Sequence, residues 1–380
     1  MKVIITGGGT GGHVNPALAI ANIIKKNNAE AELLFVGTSK GLENDLVPKA
    51  GYELRHVEIS GVRRSLSPSN IKTAVRIVTS QIKAKKLIKE YSPDIVIGTG
   101  GYACWPCVKV AAKMDIPTVL HEANSIPGFA VKNLCGKVDT VLTNFAQTAE
   151  TLSKNQHAIH VGMPMRGEFE SISKAEARKK LGIADKDGFV VLSFGGSLGA
   201  PMVNRASLEV MKSFSSQNPD VIHYHSSGSR EYENMLADYR AAGLAGCENI
   251  ELSPYIYDMS LKMAAADIVI SRAGAMTIAE RARLGAVSVL IPSPTVTDNH
   301  QYKNAKVLAD AGAAVIIEEK QFDGLIVADT VKRLADDPSE RRKMSESISD
   351  FYNNDTNQMI YAEIERLVGE YTKRKNREEK

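Results

Sequence analysis

The stretch Val3-Ile4-Ile5-Thr6-Gly7-Gly8-Gly9-Thr10-Gly11-Gly12-His13-Val14-Asn15-Pro16-Ala17-Leu18-Ala19-Ile20 decides the fold. Its apolar start reads as a buried strand over 3–6, and its glycines as a tight loop. The apolar periodicity of 14–26, with Pro16 in the first turn, reads as a helix. A second strand is expected over 33–36, at the spacing of a strand–helix–strand unit. Strand-like runs recur at 95–97 and 119–120, each followed by a glycine- or proline-bearing turn and a helical pattern. Alternation of this kind predicts an α/β protein with a parallel sheet and helices on both faces.

The pattern then restarts. Residues 189–194 read as a buried strand, Gly195-Gly196-Ser197-Leu198-Gly199 as a glycine loop, and 201–216 as a helix opened by Pro201. A second echo supports duplication: Asp94-Ile95-Val96-Ile97 leads into Gly98-Thr99-Gly100-Gly101, and Asp267-Ile268-Val269-Ile270 into Ser271-Arg272-Ala273-Gly274. Two Rossmann-like lobes are expected, residues 1–163 and 164–350, joined near Gly162-Met163-Pro164-Met165-Arg166, where proline interrupts regular structure. Residues 351–380 should hold a last helix over 356–370, able to pack back on the first lobe, and a charged, frayed tail from 373.

With 380 residues, 43% hydrophobic and 24% charged, the composition is that of a globular protein with chain enough for two cores. Four irregularly spaced cysteines do not form an extracellular disulfide framework, and the start lacks a signal peptide, which points to a reducing cytoplasm. No run approaches the roughly 18 apolar residues of a spanning helix. The net charge of +3 divides unevenly: residues 1–165 hold 19 Lys/Arg against 12 Asp/Glu, whereas 166–380 hold 28 against 32. The basic excess points to an anionic partner for the first half.

Gly7, Gly9 and Gly12 fit G-x-G-x-x-G between strand and helix, where backbone N–H groups and a helix start can hold an anion. A nicotinamide enzyme should also carry an acid at the end of the second strand for the ribose diol, but Phe35-Val36-Gly37-Thr38 has none. The P-loop pattern is absent as well. What remains is a glycine loop at the top of the first strand of each lobe, facing a shared cleft where ligands of such sheets bind.

Seven motifs stand out along the chain. They are Gly8-Gly9-Thr10-Gly11-Gly12-His13, Gly98-Thr99-Gly100-Gly101-Tyr102, His121-Glu122-Ala123-Asn124, Gly162-Met163-Pro164-Met165-Arg166, Gly195-Gly196-Ser197-Leu198-Gly199-Ala200, Arg272-Ala273-Gly274-Ala275-Met276-Thr277-Ile278-Ala279-Glu280 and Gln301-Tyr302-Lys303-Asn304-Ala305. In their order and approximate spacing the sequence resembles the MurG family, the bacterial N-acetylglucosaminyltransferases that make the last lipid-linked precursor of peptidoglycan. The resemblance spans residue 3 to about 370. It implies a GT-B fold, with the donor UDP-N-acetylglucosamine held mainly by the second lobe and the acceptor by the first. The implied reaction transfers N-acetylglucosamine, with inversion, to the 4-hydroxyl of an undecaprenyl-linked muramoyl-pentapeptide.

Carried over by motif, Glu280 is implied to accept hydrogen bonds from the uridine ribose hydroxyls. Arg166 and Ser197 are implied to contact the diphosphate, with Ser197 at a helix N-terminus. Ala275, Met276 and Thr277 are implied to present N–H groups and a hydroxyl to the donor, and Ile256 to lie at the uracil. By the same resemblance Gln301 should bind sugar hydroxyls, Asn124 should reach the sugar from the first lobe, and Thr10, Gly11 and Gly12 should belong to the first lobe's substrate loop. Two departures from the family pattern are His300 beside Gln301, where a glutamine pair is usual, and Leu198, where glutamine is usual. His300 retains the capacity to donate and accept.

His13 is the candidate general base, since inverting transfer needs the attacking hydroxyl deprotonated and an imidazole titrates near neutrality. Helix dipoles and Arg166 would stabilise the departing UDP without a metal. The lone D-x-D, Asp185-Lys186-Asp187, reads as a solvated turn, so neither metal nor cofactor is expected. Between Gly61 and Glu90, Arg63, Arg64, Lys72, Arg76, Lys83, Lys85, Lys86 and Lys89 face the single acid Glu90. From Ile71 onward an apolar side (Ile71, Val75, Val78, Ile82) accompanies a basic one, and Val62 and Leu66 precede it. This stretch is expected either to pack on the core or to rest on the anionic cytoplasmic face of the membrane. No nucleic-acid partner is expected.

Three other classes compete. Cys104-Trp105-Pro106-Cys107 has thioredoxin-like C-x-x-C spacing, with small apolar packing as its alternative. UDP-N-acetylglucosamine 2-epimerases and other GT-B glycosyltransferases share the two-lobed fold. A non-catalytic nucleotide-sugar binding subunit is the third.

Overall fold

The computed structural model describes residues 1–59, 69–152, 157–165, 167–169, 172–184, 188–323 and 325–378, with backbone alone for 69–76. The chain divides into two compact units. The first comprises Met1–Pro164 with Asn353–Lys380, the second Met165–Tyr352.

The first unit holds seven parallel strands: β1 (Lys2–Gly7), β2 (Glu32–Gly37), β3 (Glu53–His56), β4 (Ile95–Gly100), β5 (Thr118–Glu122), β6 (Thr140–Thr143) and β7 (Ala158–His160). Their order is β3-β2-β1-β4-β5-β6-β7. β1 lies between β2 and β4, with Ile4 opposite Leu34 and Val96. Val3, Ile4 and Ile5 are all buried, as expected when helices cover both faces of a parallel sheet. The helix Gly11–Asn27 covers one face with Val14, Ala17, Ile20, Ile23 and Ile24. Each of its three isoleucines contributes about 1.5–3 kcal/mol on burial.

The last helix, Thr356–Glu378, belongs to this unit. Ile360, Ile364 and Leu367 join Val3, Ile5 and Ile20 in one apolar cluster. Its Thr356 hydroxyl donates to Val161 O at 2.7 Å, and Glu363 accepts from Thr140 and Arg366. The helix continues through the tail read as frayed, where the Arg374 guanidinium donates to Asp115 O. That contact holds the charged end against the body.

The second unit repeats the topology with six parallel strands: β8 (Val190–Phe194), β9 (Ile222–Ser226), β10 (Ile250–Ser253), β11 (Ile268–Ser271), β12 (Ser288–Leu290) and β13 (Ala314–Ile316), in the order β10-β9-β8-β11-β12-β13. The first strand of each unit therefore pairs with the second and the fourth. Its core contains a buried polar group. The Ser193 hydroxyl on β8 lies 2.8 Å from His223 Nε2 and 2.7 Å from His225 Nδ1, both on β9, and Ser215 meets His223 Nδ1 at 2.9 Å. Burial pushes His225 down to about 4 and His223 well below the ordinary histidine value.

Candidate functional site

Parallel sheets bring chemistry together at the carboxyl ends of their strands. In the first unit, β1, β4 and β5 are neighbours, so the loops that follow them are neighbours too. The loop after β1 ends at Thr10, the N-cap of the helix that begins at Gly11, so Gly11, Gly12 and His13 form that helix's first turn. His13 is part-buried against the end of β4: a Cβ on Gly100 would lie 2.6 Å from the imidazole Cδ2. Gly101 likewise lets the two loops approach, since its Cβ would meet Gly8 O at 2.3 Å. His13 Nδ1 lies 3.1 Å from Gly8 O. A carbonyl only accepts, so as the donor in this bond Nδ1 carries the proton and Nε2 is the basic nitrogen of the ring; the Thr10 hydroxyl lies 3.5 Å from the same Nδ1.

A carboxylate does reach this glycine loop, although β2 ends without one. It comes from Glu43, beyond the end of β2, and accepts from the Gly9 N–H at 2.7 Å. Glu43 is fully buried and bonds to backbone, so it is not a ribose reader. After β5, Glu122 organises the loop bearing Asn124. It accepts from Asn124 N at 2.9 Å, Asn124 Nδ2 at 3.1 Å and Gly128 N at 2.7 Å. Burial pushes this carboxyl up despite those bonds.

In the second unit the loop after β8 holds Ser197, exposed, with its carbonyl accepting from Ser229 N at 3.2 Å. The following helix starts at Pro201 with Ala200 as N-cap, so Ser197 stands in the loop rather than at the helix N-terminus its motif implied. Ala275, Met276 and Thr277 form the first turn of the helix Ala275–Leu284, whose leading N–H groups have no intrahelical acceptor. Glu280 follows one turn later, 7% exposed. Ile256 is buried beside Tyr224 and Met263, between the exposed rings of Tyr255 and Tyr257. His300 and Gln301 open the helix His300–Asp310. His300 Nδ1 meets Thr297 O at 2.9 Å, and Gln301 Oε1 accepts from Ser293 N at 2.9 Å. That second bond uses the amide oxygen of Gln301 and turns its NH2 group to the donor role.

Two sequence candidates, Arg166 and Asp185-Lys186-Asp187, lie outside the described residues, as do Val62, Arg63, Arg64 and Leu66. The side chains of Ile71, Lys72, Val75 and Arg76 do too. Among the described residues no group of three His, Cys, Asp or Glu side chains is arranged to hold a metal. Cys104 and Cys107 are unpaired and buried, and burial pushes both thiols up to about 12. A thiol in that state is inert, and the redox reading gives way to packing: both sulfurs sit in the first unit's apolar core.

Arg281, which the sequence did not single out, follows Glu280 and is completely buried. It donates to Ser271 Oγ, while its Nε and Nη1 have no hydrogen-bond partner. Burial lowers its pKa to about 9.

Residues 3–143 match the glycosyltransferase family 28 N-terminal domain and residues 190–358 the family 28 C-terminal domain. The chain is 39% identical to the UDP-N-acetylglucosamine–N-acetylmuramyl-(pentapeptide) pyrophosphoryl-undecaprenol N-acetylglucosamine transferase of Acetivibrio thermocellus, covering 97% of this chain and 98% of that one. The enzyme of the same name from Thermoanaerobacter sp. is also 39% identical, over 97% and 100%. Among solved structures, Acinetobacter baumannii MurG superposes with a TM-score of 0.77 at 26% identity, over 96% of this chain and 99% of that one. UDP-GlcNAc 2-epimerase from Neisseria meningitidis, bound to UDP-GlcNAc, superposes at 0.65 with 14% identity over 96% and 100%, a likeness of fold alone. With a GT-B fold, both family 28 domains and full-length relatives at this identity, the chain belongs to the MurG family of UDP-sugar glycosyltransferases.

Proposed function

We propose that this enzyme transfers N-acetylglucosamine from UDP-N-acetylglucosamine to the 4-hydroxyl of undecaprenyl-pyrophosphoryl-muramoyl-pentapeptide, with inversion. The observation that carries the proposal is full-length similarity to enzymes named for that transfer. Acceptor-dependent release of UDP tests it. UDP-N-acetylglucosamine alone should give neither UDP nor the 2-epimer; formation of the epimer would favour the isomerase reading, and UDP binding without release the non-catalytic one.

In this reading the acceptor oxygen attacks the anomeric carbon while His13 Nε2 takes its proton, and the carbon–oxygen bond to the diphosphate breaks. The electron pair leaves with UDP. Its charge meets the N–H groups of Ala275, Met276 and Thr277, together with Ser197 and Arg166. Glu280 accepts from the ribose hydroxyls and Ile256 borders the uracil. Gln301 donates to a sugar hydroxyl, with His300 beside it, and Asn124 reaches the sugar. Thr10, Gly11 and Gly12 line the acceptor side. Glu280→Ala is expected to weaken UDP-N-acetylglucosamine binding by about 1–3 kcal/mol, the cost of leaving polar partners unsatisfied. Calorimetry showing unchanged affinity would remove Glu280 from the site.

An acceptor on a polyprenyl chain is reachable only at a bilayer surface. No described helix is long and apolar enough to cross one. The helix Ser69–Tyr91 packs through Ala84, Leu87 and Ile88, whereas Val78 and Ile82, expected to share an apolar side, are 57% and 64% exposed. Lys83, Lys85, Lys86 and Lys89 are exposed on the same helix. Exposed apolar groups among lysines suit peripheral attachment to the anionic cytoplasmic face of the membrane, at about 1 kcal/mol per basic residue. Co-sedimentation with anionic vesicles should fall as salt rises and on neutralising Arg63, Arg64, Lys72 and Arg76. Pelleting that ignores both would reassign the stretch to plain solvation.

A further inference from the structure

We infer that Glu43 is a positioning residue for the transfer, acting on His13 through the one peptide group that joins Gly8 to Gly9; the inference rests on the reading of His13 as the base. The N–H of that peptide, on Gly9, donates to Glu43 Oε2 at 2.7 Å. Its C=O, on Gly8, accepts from His13 Nδ1 at 3.1 Å. The peptide is planar, and in the trans form its N–H and C=O point in opposite directions, so carboxylate, peptide and imidazole form one chain of hydrogen bonds. An anion at the N–H end polarises the amide and makes its oxygen a stronger acceptor. The same oxygen fixes the Nδ1–H tautomer and stabilises the imidazolium once Nε2 has taken a proton.

The surroundings of Glu43 are built for this. Its Oε1 accepts from the Thr38 N–H and the Thr38 hydroxyl, each at 2.9 Å. A Cβ at Gly8, Gly37 or Gly41 would come within 2.4, 2.5 or 1.9 Å of Glu43 side-chain atoms, so the chain is pared back to admit it. Burial raises the carboxyl, but the bonds from Gly9 and Thr38 outweigh burial and hold it below the ordinary glutamate value. Glu43 therefore stays ionised at neutral pH. Among the described residues no cation pairs with it. The ionisable groups on neighbouring segments are Lys40, Asp45 and Lys49, which pair with one another in the case of the last two, His56 on β3, bonded to Asn44, and Tyr102 after β4. A peptide flanked by two glycines, the second at φ +88°, has little intrinsic resistance to flipping, and Glu43 pins the end that His13 does not touch.

The test uses the full-length enzyme and Glu43→Gln. Nitrogen-15 NMR of the unmodified protein should find neutral His13 as the Nδ1–H tautomer. In Glu43→Gln that tautomer should lose its dominance, and the acid limb of the rate profile should move about one unit to lower pH, because imidazolium loses a stabilising anion. Turnover should fall roughly 10- to 100-fold, the scale seen when a metal-bound histidine loses its outer partner. KM for UDP-N-acetylglucosamine should stay unchanged. An Nε2–H tautomer in the unmodified protein overturns the inference whether or not the variant folds. So does a Glu43→Gln enzyme whose tautomer and acid limb match the parent, even with reduced turnover, since that marks a purely structural role. If His13→Ala retains turnover, the base assignment falls separately, while the dependence of the His13 tautomer on Glu43 is still read by NMR.

Discussion

Replacing His13 by alanine is expected to lower turnover by roughly 100-fold or more, the usual contribution of a general base, with the affinity for UDP-N-acetylglucosamine nearly intact. The expectation follows from the two-unit construction. His13 stands in the first turn of the helix after β1 in the first unit, whereas Glu280, Ser197 and the first turn at Ala275 belong to the second. Steady-state kinetics with each substrate varied, alongside calorimetry of the donor, separate the two effects. Near-normal turnover would move the proton acceptor elsewhere; a parallel loss of donor affinity would indicate general disruption.

Acid is expected to destabilise the second unit steeply. His225, pushed down to about 4 by burial, binds its proton less readily in the folded chain than in the unfolded one, where the ordinary value is about 6.5. Between those values the unfolded chain carries more protons, so stability is full above about pH 6.5 and drains away as pH falls toward 4. The loss is about 3 kcal/mol for this imidazole by the time its folded value is reached. His223, displaced in the same direction, adds to it, and His121, also pushed down to about 4, acts likewise in the first unit. Denaturant midpoints measured from pH 7 to pH 4.5 should fall, and His225→Gln should flatten the curve. A midpoint indifferent to pH would mean that these rings are hydrated in solution.

Periodicity and glycine placement made the central strands of both sheets legible, because a parallel strand buried on two faces and a glycine-bearing turn are local signals; the outer strands, short and less apolar, escape that reading. β1, β4, β8 and β11 fall where apolar runs predict them. The motifs of the MurG family then supplied the candidate site residues proposed above. What remained hidden depends on long-range partners. Glu43 sits in Gly41-Leu42-Glu43-Asn44-Asp45, a stretch that matches no motif; its inward orientation is set by Gly9, 34 positions earlier. Arg281 looks like an exposed charge beside Glu280 and is buried because most of its helix faces the core. The cysteine pair shows the opposite error: spacing suggests reactivity, but reactivity depends on exposure, which spacing does not contain.

The return of Thr356–Glu378 to the first unit also bears on how the protein is made. Synthesis proceeds from the amino end at roughly 5–20 residues per second, and domains generally fold as they emerge. Here the first half cannot finish first. Until Ile360, Ile364 and Leu367 arrive, Ile5 and Ile20 lack part of their apolar cover, whereas Met165–Tyr352 emerges with its own core complete. A nascent chain should therefore carry a finished second unit behind an unfinished first one. Stop codons near the end of the gene should injure the amino-terminal sheet, the part of the protein furthest from them in sequence.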